Sequence, residues 1–382
     1  MLCYRMTEVQ KMYTILSKYV SDGKVSIDTI NWTWLNEVHS RDEIRDAFKA
    51  EILNGNIVLP LKDITIEDAA NSFEFLRQHK PSEMFGSMYG RYDYEAFPIE
   101  TGFYYDEPTS GNNASDYFQQ ANRYVCGSIN EPSPTRTWTS SKFLDSMLGA
   151  LWTLKTQKVD SGTLRTCLAM RKYVASQFKP TVAKAIYERF NARDVLDFSA
   201  GWGDRLCGFY ACENTRTYIG IDPNAAVHDG YQKQIEFYET YTHKDTNLIC
   251  KPAEDVTLPE KCVDLVFTSP PYFNIERYSD DDTQSFKRYR KLDSWLDGFL
   301  YRAVDLSCRS LKDGGYLCIN ISDVYSGHKV CHICDPMNQY IQKKKMRYRG
   351  VIGMRMAKRP NSKATQSEGA FIEPIWVWQK VG

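Results

Sequence analysis

The chain has 382 residues, of which 42% are hydrophobic, and its 48 basic and 48 acidic residues give a formal net charge of zero. This length predicts about two domains, and the neutral balance excludes a strongly basic nucleic-acid-binding protein while leaving room for a local basic patch. No apolar run is long enough to span a membrane, and the N-terminus lacks the apolar core of a secretory signal. We therefore expect a soluble, cytoplasmic protein with reduced cysteines.

Up to about residue 165, the hydrophobic pattern predicts helices separated by turn-rich stretches. Helical periodicity covers about Thr7–Tyr19, Arg41–Ile52 and Ile66–Arg77. Turn-forming residues are dense at 107–113 and 130–134. We predict a mainly helical N-terminal domain over residues 1–164, which is a candidate for substrate recognition.

After residue 165, short strand-forming runs alternate with helices, which fit at Thr181–Phe190, Arg205–Cys212 and Ser294–Leu311. The predicted strands are, in chain order, Val195–Phe198, Tyr218–Ile221, Asn247–Cys250, Val263–Thr268, Tyr316–Ile321, Gly350–Met356 and Ile375–Gln379. This alternation predicts an α/β fold over residues 165–382, a Rossmann-like, doubly wound and mostly parallel seven-stranded sheet. Ligands of such sheets bind at the carboxyl ends of the strands.

A glycine-containing turn, Asp197-Phe-Ser-Ala-Gly-Trp-Gly-Asp-Arg205, follows the first predicted strand. Gly201 and Gly203 would let the backbone approach a ligand where a β-carbon would clash. The next strand ends in Asp222, where an acid can bind both hydroxyls of a ribose. These features predict a nucleoside site.

Two further observations restrict which nucleoside this site could bind. Leu206 occupies the third glycine position of the dinucleotide fingerprint, which disfavours NAD and favours a nucleoside with a non-phosphate tail. Asp197 would suit an amino group on that tail by charge pairing. Glu254 and Asp255 follow the third strand and are placed to meet an adenine edge.

The fourth predicted strand ends in Ser269-Pro270-Pro271-Tyr272. Two prolines fix the backbone and remove two N–H donors, which leaves carbonyl oxygens and the Ser269 hydroxyl. An exocyclic amine carries two N–H groups and needs two acceptors, which Ser269 and the Pro270 carbonyl can supply. Tyr272 can stack on a base. The pattern therefore predicts an amine-binding pocket beside the nucleoside site.

Together these motifs resemble a known enzyme family. The stretch 197–205, which includes Ser199, looks like motif I of class I S-adenosylmethionine-dependent methyltransferases. Ser269–Tyr272 looks like motif IV of the amino-methyltransferases of DNA. The resemblance implies the cofactor S-adenosylmethionine, with Asp222 on the ribose and Glu254 or Asp255 on the adenine. It covers about residues 165–382. It further implies that Ser269, Pro270, Pro271 and Tyr272 form the catalytic motif.

The family implies methyl transfer to a base that is flipped out of double-stranded DNA. The serine form of motif IV is typical of members that modify N4 of cytosine, and the aspartate form is typical of those that modify N6 of adenine. Ser269 therefore favours cytosine, with adenine kept as an alternative. A base in RNA is a second alternative, and a non-catalytic nucleic-acid-binding protein on the same fold is a third.

Charge segregation predicts where nucleic acid could bind. Residues 336–367 contain nine basic residues and no Asp or Glu: Lys343, Lys344, Lys345, Arg347, Arg349, Arg355, Lys358, Arg359 and Lys363. Such a stretch suits phosphate binding, and a solvated hairpin face is the alternative. Cys331 and Cys334 lie near His328 and His332, but partners for a zinc ion are poorly defined, and no metal site is predicted.

Overall fold

The computed structural model describes residues 15–80, 111–326, 329–355 and 372–382. The chain divides into two compact units, and both are discontinuous in sequence. The first comprises Met1–Asp63 and Gln120–Ser176, and the second comprises Ile64–Gln119 and Gln177–Gly382. The predicted helix at Thr7–Tyr19 lies mostly outside the described residues. In its described part, residues 15–16 are helical and Ser17–Tyr19 form a single 3₁₀ turn.

The first unit is mainly helical, as its sequence predicts. Its helices are Thr29–Val38, Arg41–Leu53, Pro134–Trp138, Ser141–Leu148, Ala150–Thr153 and Ser161–Arg171. A small antiparallel sheet joins Val20–Ser21, Lys24–Ile27 and Val159–Asp160, and Gly127–Ser128 is a further short strand. Helix Arg41–Leu53 begins where predicted because Ser40 and Glu43 form a capping box. Its apolar face packs into a core that includes Phe48, Leu144 and Leu168.

The second unit contains a seven-stranded sheet with helices around it. Its strands are β1 (Asp194–Asp197), β2 (Thr217–Ile221), β3 (Asp245–Ile249), β4 (Val263–Thr268), β5 (Leu311–Asn320), β6 (Met346–Arg355) and β7 (Ile372–Lys380). The longer helices are α1 (Pro180–Arg189), α2 (Asp204–Ala211), α3 (Ala225–Glu239), α4 (Tyr301–Ser310) and α5 (Cys334–Gln342).

Shorter elements complete the second unit. They are the 3₁₀ turn Ala253–Asp255, the helical turns Ser285–Arg288 and Leu292–Trp295, the π-helical turn Leu296–Leu300, the short strand Glu276–Arg277 and the hairpin Val324–Ser326 with Lys329–Cys331. The predicted continuous helix at Ser294–Leu311 is therefore interrupted by a π-turn before α4.

The strand order of the sheet is β6-β7-β5-β4-β1-β2-β3. All neighbouring pairs from β5 to β3 are parallel, and β7 is antiparallel to both β5 and β6. This confirms the predicted Rossmann-like α/β fold with a mostly parallel seven-stranded sheet. The order reverses between β1 and β4, which is where doubly wound sheets bind their ligands.

The boundary between the units differs from the single break expected near residue 165. Helix Ile66–Gln78 belongs to the second unit, because Phe73 stacks on Tyr238 of α3 with ring centroids 4.7 Å apart. Lys184 of α1 also donates to the carbonyls of Leu76, Arg77 and His79 at 2.7–2.9 Å, which stabilises the end of that helix. The division between the units falls within the helix Asn112–Val125.

Within the described residues, no helix combines the length and the apolar character needed to cross a bilayer.

Candidate active site

The predicted motifs meet at one edge of the sheet. Strand β1 pairs in parallel with β2 and β4, with Asp197 opposite Gly220 and Leu196 opposite Val266. Strand β4 in turn pairs with β5, with Thr268 opposite Ile319. Because neighbouring strands lie about 5 Å apart, the segments that follow these strands lie side by side. The glycine turn, Asp222 and the Ser269–Tyr272 segment therefore share the carboxyl edge.

The two glycines of the turn have different surroundings. Gly201 (φ 61°) and Gly203 (φ 74°) both adopt the left-handed conformation that favours glycine. A β-carbon at Gly203 would overlap the carboxamide of Gln234, so this glycine is required for packing against α3. A β-carbon at Gly201 would make only ordinary van der Waals contact, 3.8 Å from the Ser199 carbonyl oxygen and 4.0 Å from Arg205 Nη2, so packing does not require this glycine. Of the two, only Gly201 is surrounded as the sequence predicts for a ligand-facing position.

Asp222 follows β2 and is held by backbone donors. The Gly201 N–H donates to its Oδ2 and the Asn224 N–H donates to its Oδ1, both at 2.9 Å. Burial raises the pKa of Asp222 to about 6, against the opposing effect of these two hydrogen bonds. Asp222 thus ties the glycine turn to the end of β2.

Asp197 occupies a different position from the one expected of a cofactor-binding residue. It is fully buried, and its Oδ2 accepts from Arg205 Nε at 2.7 Å and from the Tyr218 hydroxyl at 2.8 Å. Its Oδ1 accepts from the Ser199 N–H at 3.2 Å, and Arg205 also donates to the Ser199 carbonyl. Arg205 Nη2 also donates to Oδ1 at 3.3 Å, so each carboxylate oxygen of Asp197 already accepts two hydrogen bonds. Asp197 and Ser199 therefore stabilise the turn itself, and the structure does not present Asp197 to a ligand amine.

The acids after β3 are bonded to the segment that follows β4. Arg288 Nη1 donates to Glu254 Oε1 at 2.7 Å and to Asp255 Oδ2 at 2.8 Å. The Glu254 side chain is only 1% exposed, and burial raises its pKa. Arg288 thus bridges the two acids, a pairing that the sequence did not predict, and its displacement would free Glu254 Oε1 for an adenine edge.

The tetrapeptide Ser269–Tyr272 lies directly beyond β4. The Ser269 hydroxyl donates to Asn320 Oδ1 at 3.2 Å, and Asn320 Nδ2 donates to the Pro374 carbonyl at 3.1 Å. The Pro271 carbonyl accepts from the Phe273 N–H at 3.0 Å, which bends the chain after the second proline. The prolines thus hold Ser269 beside the ends of β5 and β7.

Tyr272 is anchored at its hydroxyl, which donates to Glu373 at the start of β7. Burial and the Glu373 carboxylate raise the pKa of Tyr272 well above its usual value, so the phenol stays protonated. Burial also raises the pKa of Glu373. Phe273, in contrast, is buried in the core against Trp295.

Asn320 and Glu373 contact the motif across 51 and 101 residues of chain and were not among the predicted site residues. Both lie at the carboxyl edge of the sheet, at the end of β5 and near the start of β7. Their partners depend on strand register, which no local pattern reveals.

The basic stretch is divided between the two edges of the sheet. Strand β6 is antiparallel to β7, as is β5, so β6 runs parallel to β5. The residues from Lys343 to Arg349 therefore lie at its amino end, opposite the catalytic edge. Among them, Lys344 is paired with Asp305 and Arg349 donates to Gln379. Arg355 ends β6 at the catalytic edge, and Lys358, Arg359 and Lys363 lie outside the described residues.

Among the described residues, no group of three or more His, Cys, Asp or Glu side chains could hold a metal ion. Cys331, His332 and Cys334 are included in that statement, whereas His328 lies outside the described residues.

Comparison with known proteins now identifies the domain. The sequence model of the N6/N4 family described as DNA methylase matches residues 263–381, which contain the Ser269–Tyr272 motif. Residues 263–381 are therefore similar to the DNA methylases of this family. No curated protein matches the chain.

Solved structures of several methyltransferases are similar to parts of this chain. A presumed DNA modification methylase from Thermus thermophilus is 26% identical over 34% of this chain and 52% of its own, with a TM-score of 0.26. An S-adenosylmethionine-dependent O-methyltransferase from Thermotoga maritima is 11% identical over 56% of this chain and 71% of its own, with a TM-score of 0.34. A tRNA (m1A58) methyltransferase from Aquifex aeolicus is 13% identical over 55% and 71%, with a TM-score of 0.33.

The cofactor of this methylase family is S-adenosylmethionine, and the residues at the carboxyl edge fit it. Gly201 has room for a β-carbon in ordinary van der Waals contact, and Asp222 accepts from its N–H at the end of β2. Carboxylate oxygens accept hydrogen bonds from hydroxyl groups such as those of a ribose. Gly201 and Asp222 are therefore placed as a nucleoside cofactor would require.

Proposed function

We propose that the protein methylates the exocyclic amine of a base in double-stranded DNA, with N4 of cytosine as the favoured position. The observation that carries this proposal is the position of Ser269-Pro-Pro-Tyr272 at the carboxyl end of β4, beside the glycine turn. Gly201 and Asp222 would hold the cofactor, with Glu254 toward its adenine once Arg288 moves, and with Asp197 and Ser199 stabilising the turn.

The motif supplies two acceptors for an amine that has two N–H groups. The Pro271 carbonyl already accepts from Phe273, so the Pro270 carbonyl is the one assigned to the substrate, together with Ser269 Oγ. Holding both N–H groups orients the nitrogen lone pair toward the donor site, which is a contribution of positioning. Tyr272 would stack on the base, with its ring held by Glu373.

When bound, S-adenosylmethionine supplies an electrophilic methyl group on its sulfonium sulfur. Transfer would form a bond between the amine nitrogen and the methyl carbon as the bond from that carbon to sulfur breaks. The electron pair of the broken bond would stay on sulfur, and the nitrogen would then lose one proton to water. No cysteine lies in the motif, which is consistent with direct transfer that needs no covalent base adduct. The base must leave the helix to reach this pocket, so base flipping is part of the proposal.

The experiment measures methyl transfer from labelled cofactor to duplex DNA. Ser269→Ala is expected to lower kcat by about 100-fold, the scale of one lost transition-state hydrogen bond. Tyr272→Ala is expected to weaken DNA binding by about 10-fold, since base stacking contributes about 1–3 kcal/mol. Ser307→Ala is the matched control, because that buried hydroxyl bonds only its own helix at Ala303.

The product is then digested to nucleosides and identified by mass spectrometry. N4-methylcytosine supports the favoured position, and N6-methyladenine would move the target to adenine. Parallel reactions with single-stranded DNA and RNA decide the substrate. Undiminished transfer in both the Ser269 and Tyr272 variants would overturn the proposal.

A further inference from the structure

Asn320 lies at the end of β5, directly beside the catalytic serine, and only 1% of it is exposed. Its carboxamide joins the Ser269 hydroxyl on one side to the Pro374 carbonyl on the other. The sequence gives it no role, and a buried amide with two polar partners constrains both of them.

The orientation of this amide follows from its partners. A backbone carbonyl oxygen can only accept a hydrogen bond, so the NH₂ group of Asn320 must face Pro374. The Pro374 carbonyl is itself fixed, because it also accepts from the Ile321 N–H at 3.3 Å where β5 meets β7. The amide oxygen of Asn320 must then face Ser269.

The direction of the Ser269 proton follows in turn. Asn320 Oδ1 has no hydrogen to give, so the hydroxyl of Ser269 donates its only proton to it. The lone pairs of Ser269 Oγ are what remains for a substrate. A serine without this partner could rotate and donate to the amine nitrogen, and that would occupy the lone pair that must attack the methyl group.

We propose that Asn320 is a positioning residue that makes Ser269 a hydrogen-bond acceptor toward the amine. The inference rests on the proposed function and explains why Ser269 would accept a hydrogen bond from the amine. A carboxylate at the motif's first position can only accept, whereas a serine can do either. In this chain the Pro374–Asn320–Ser269 chain of hydrogen bonds removes that ambiguity.

The test combines Asn320→Ala with Ser269→Ala in a double-mutant cycle of methyl transfer to duplex DNA. Asn320→Ala is expected to lower kcat about 10-fold, the scale of one hydrogen bond, with KM for DNA nearly unchanged. In the Ser269→Ala background the same substitution should have no further effect on kcat. Asn320→Asp keeps an acceptor in the same volume, so its kcat should lie between wild type and Asn320→Ala.

Controls separate positioning from a loss of fold. Asn338→Ala removes another fully buried asparagine, which accepts from Trp378 Nε1 at 3.0 Å, and it should lower thermal stability without changing kcat. Cofactor binding by calorimetry should be unchanged in all Asn320 variants. Wild-type kcat in Asn320→Ala, or an equal loss of kcat with and without Ser269, would overturn the inference while the proposed function stands. A wild-type protein that binds cofactor but transfers no methyl group to DNA would instead overturn the proposed function.

Discussion

At the scale of single residues, the site is built from buried polar groups that hold each other. Three side-chain hydrogen bonds fix the orientation of charged or hydroxyl groups: Arg205 to Asp197, Arg288 to Glu254 and Tyr272 to Glu373. Asp222 differs, because each of its carboxylate oxygens accepts one hydrogen bond from a backbone N–H group. This difference makes Asp222 the residue whose protonation should govern the affinity for cofactor.

The raised pKa of Asp222 predicts a pH dependence. Its pKa is about 6 instead of 3.8, because burial disfavours the carboxylate. The folded state therefore binds the proton more tightly, and the stabilisation by protonation is lost as pH rises from about 4 to about 6. A carboxylate can accept from both ribose hydroxyls, so cofactor affinity should fall about 10-fold per pH unit below about 6.

Calorimetric titration of the cofactor between pH 5 and 8 tests this. Asp222→Asn should bind weakly with a flat profile. Asp264→Asn is the matched control, since Asp264 also accepts from two backbone N–H groups, has a pKa raised by burial, and lies at the opposite edge of the sheet. Equal pH profiles for wild type and Asp222→Asn would contradict the assignment.

At the scale of elements, the turn between β1 and α2 predicts different effects for its two glycines. Alanine at either position would have to adopt the left-handed backbone conformation, which lowers stability by about 1–2 kcal/mol. Gly203→Ala also overlaps Gln234 of α3 and should lose about 1–3 kcal/mol more. Gly201→Ala should lower the free energy of unfolding only by this backbone cost, but it should weaken cofactor binding. Thermal unfolding and calorimetry measure the two effects.

Gly314→Ala is the reference for the backbone cost alone. Gly314 has φ 82° and would place its β-carbon in open space, at the amino end of β5. A Gly203→Ala variant as stable as Gly314→Ala would mean that Gln234 moves aside without cost. Wild-type cofactor affinity in Gly201→Ala would show that the ligand does not approach this backbone.

Local patterns predicted the elements better than their contacts. Strand β4 begins and ends where predicted, because its apolar run is bounded by polar residues and prolines. Helix α3 was missed, although Val227, Tyr231 and Ile235 are spaced four apart on its buried side. The motifs placed Ser269 and Asp222 at the same edge, because strand ends of parallel sheets meet there. The burial of Asp197 could not be predicted, since it depends on Tyr218 and Arg205 reaching the same carboxylate.

At the scale of the whole molecule, the division into units is a matter of which core each segment enters. The described residues 64–80 and 111–119 precede much of the first unit in the chain yet belong to the second unit, where Phe73 stacks on Tyr238 of α3. A single boundary fails for that reason, because sequence order and spatial order differ. Each unit has a core of its own, one around Phe48 and Leu148 and the other around Leu196 and Trp376.

Separate cores predict separate stabilities. The cofactor is assigned to the second unit only, so binding should stabilise that unit by mass action, by about 2.7 kcal/mol at a concentration of 100 times Kd. Differential scanning calorimetry should therefore resolve two transitions, of which S-adenosylmethionine shifts one. Phe48→Ala, which empties part of the first core, should lower the other transition and leave cofactor affinity intact. A single transition that shifts both with added cofactor and with Phe48→Ala would mean that the two cores unfold together. The three places where the chain passes from one unit to the other would then couple the units more strongly than their separate cores imply.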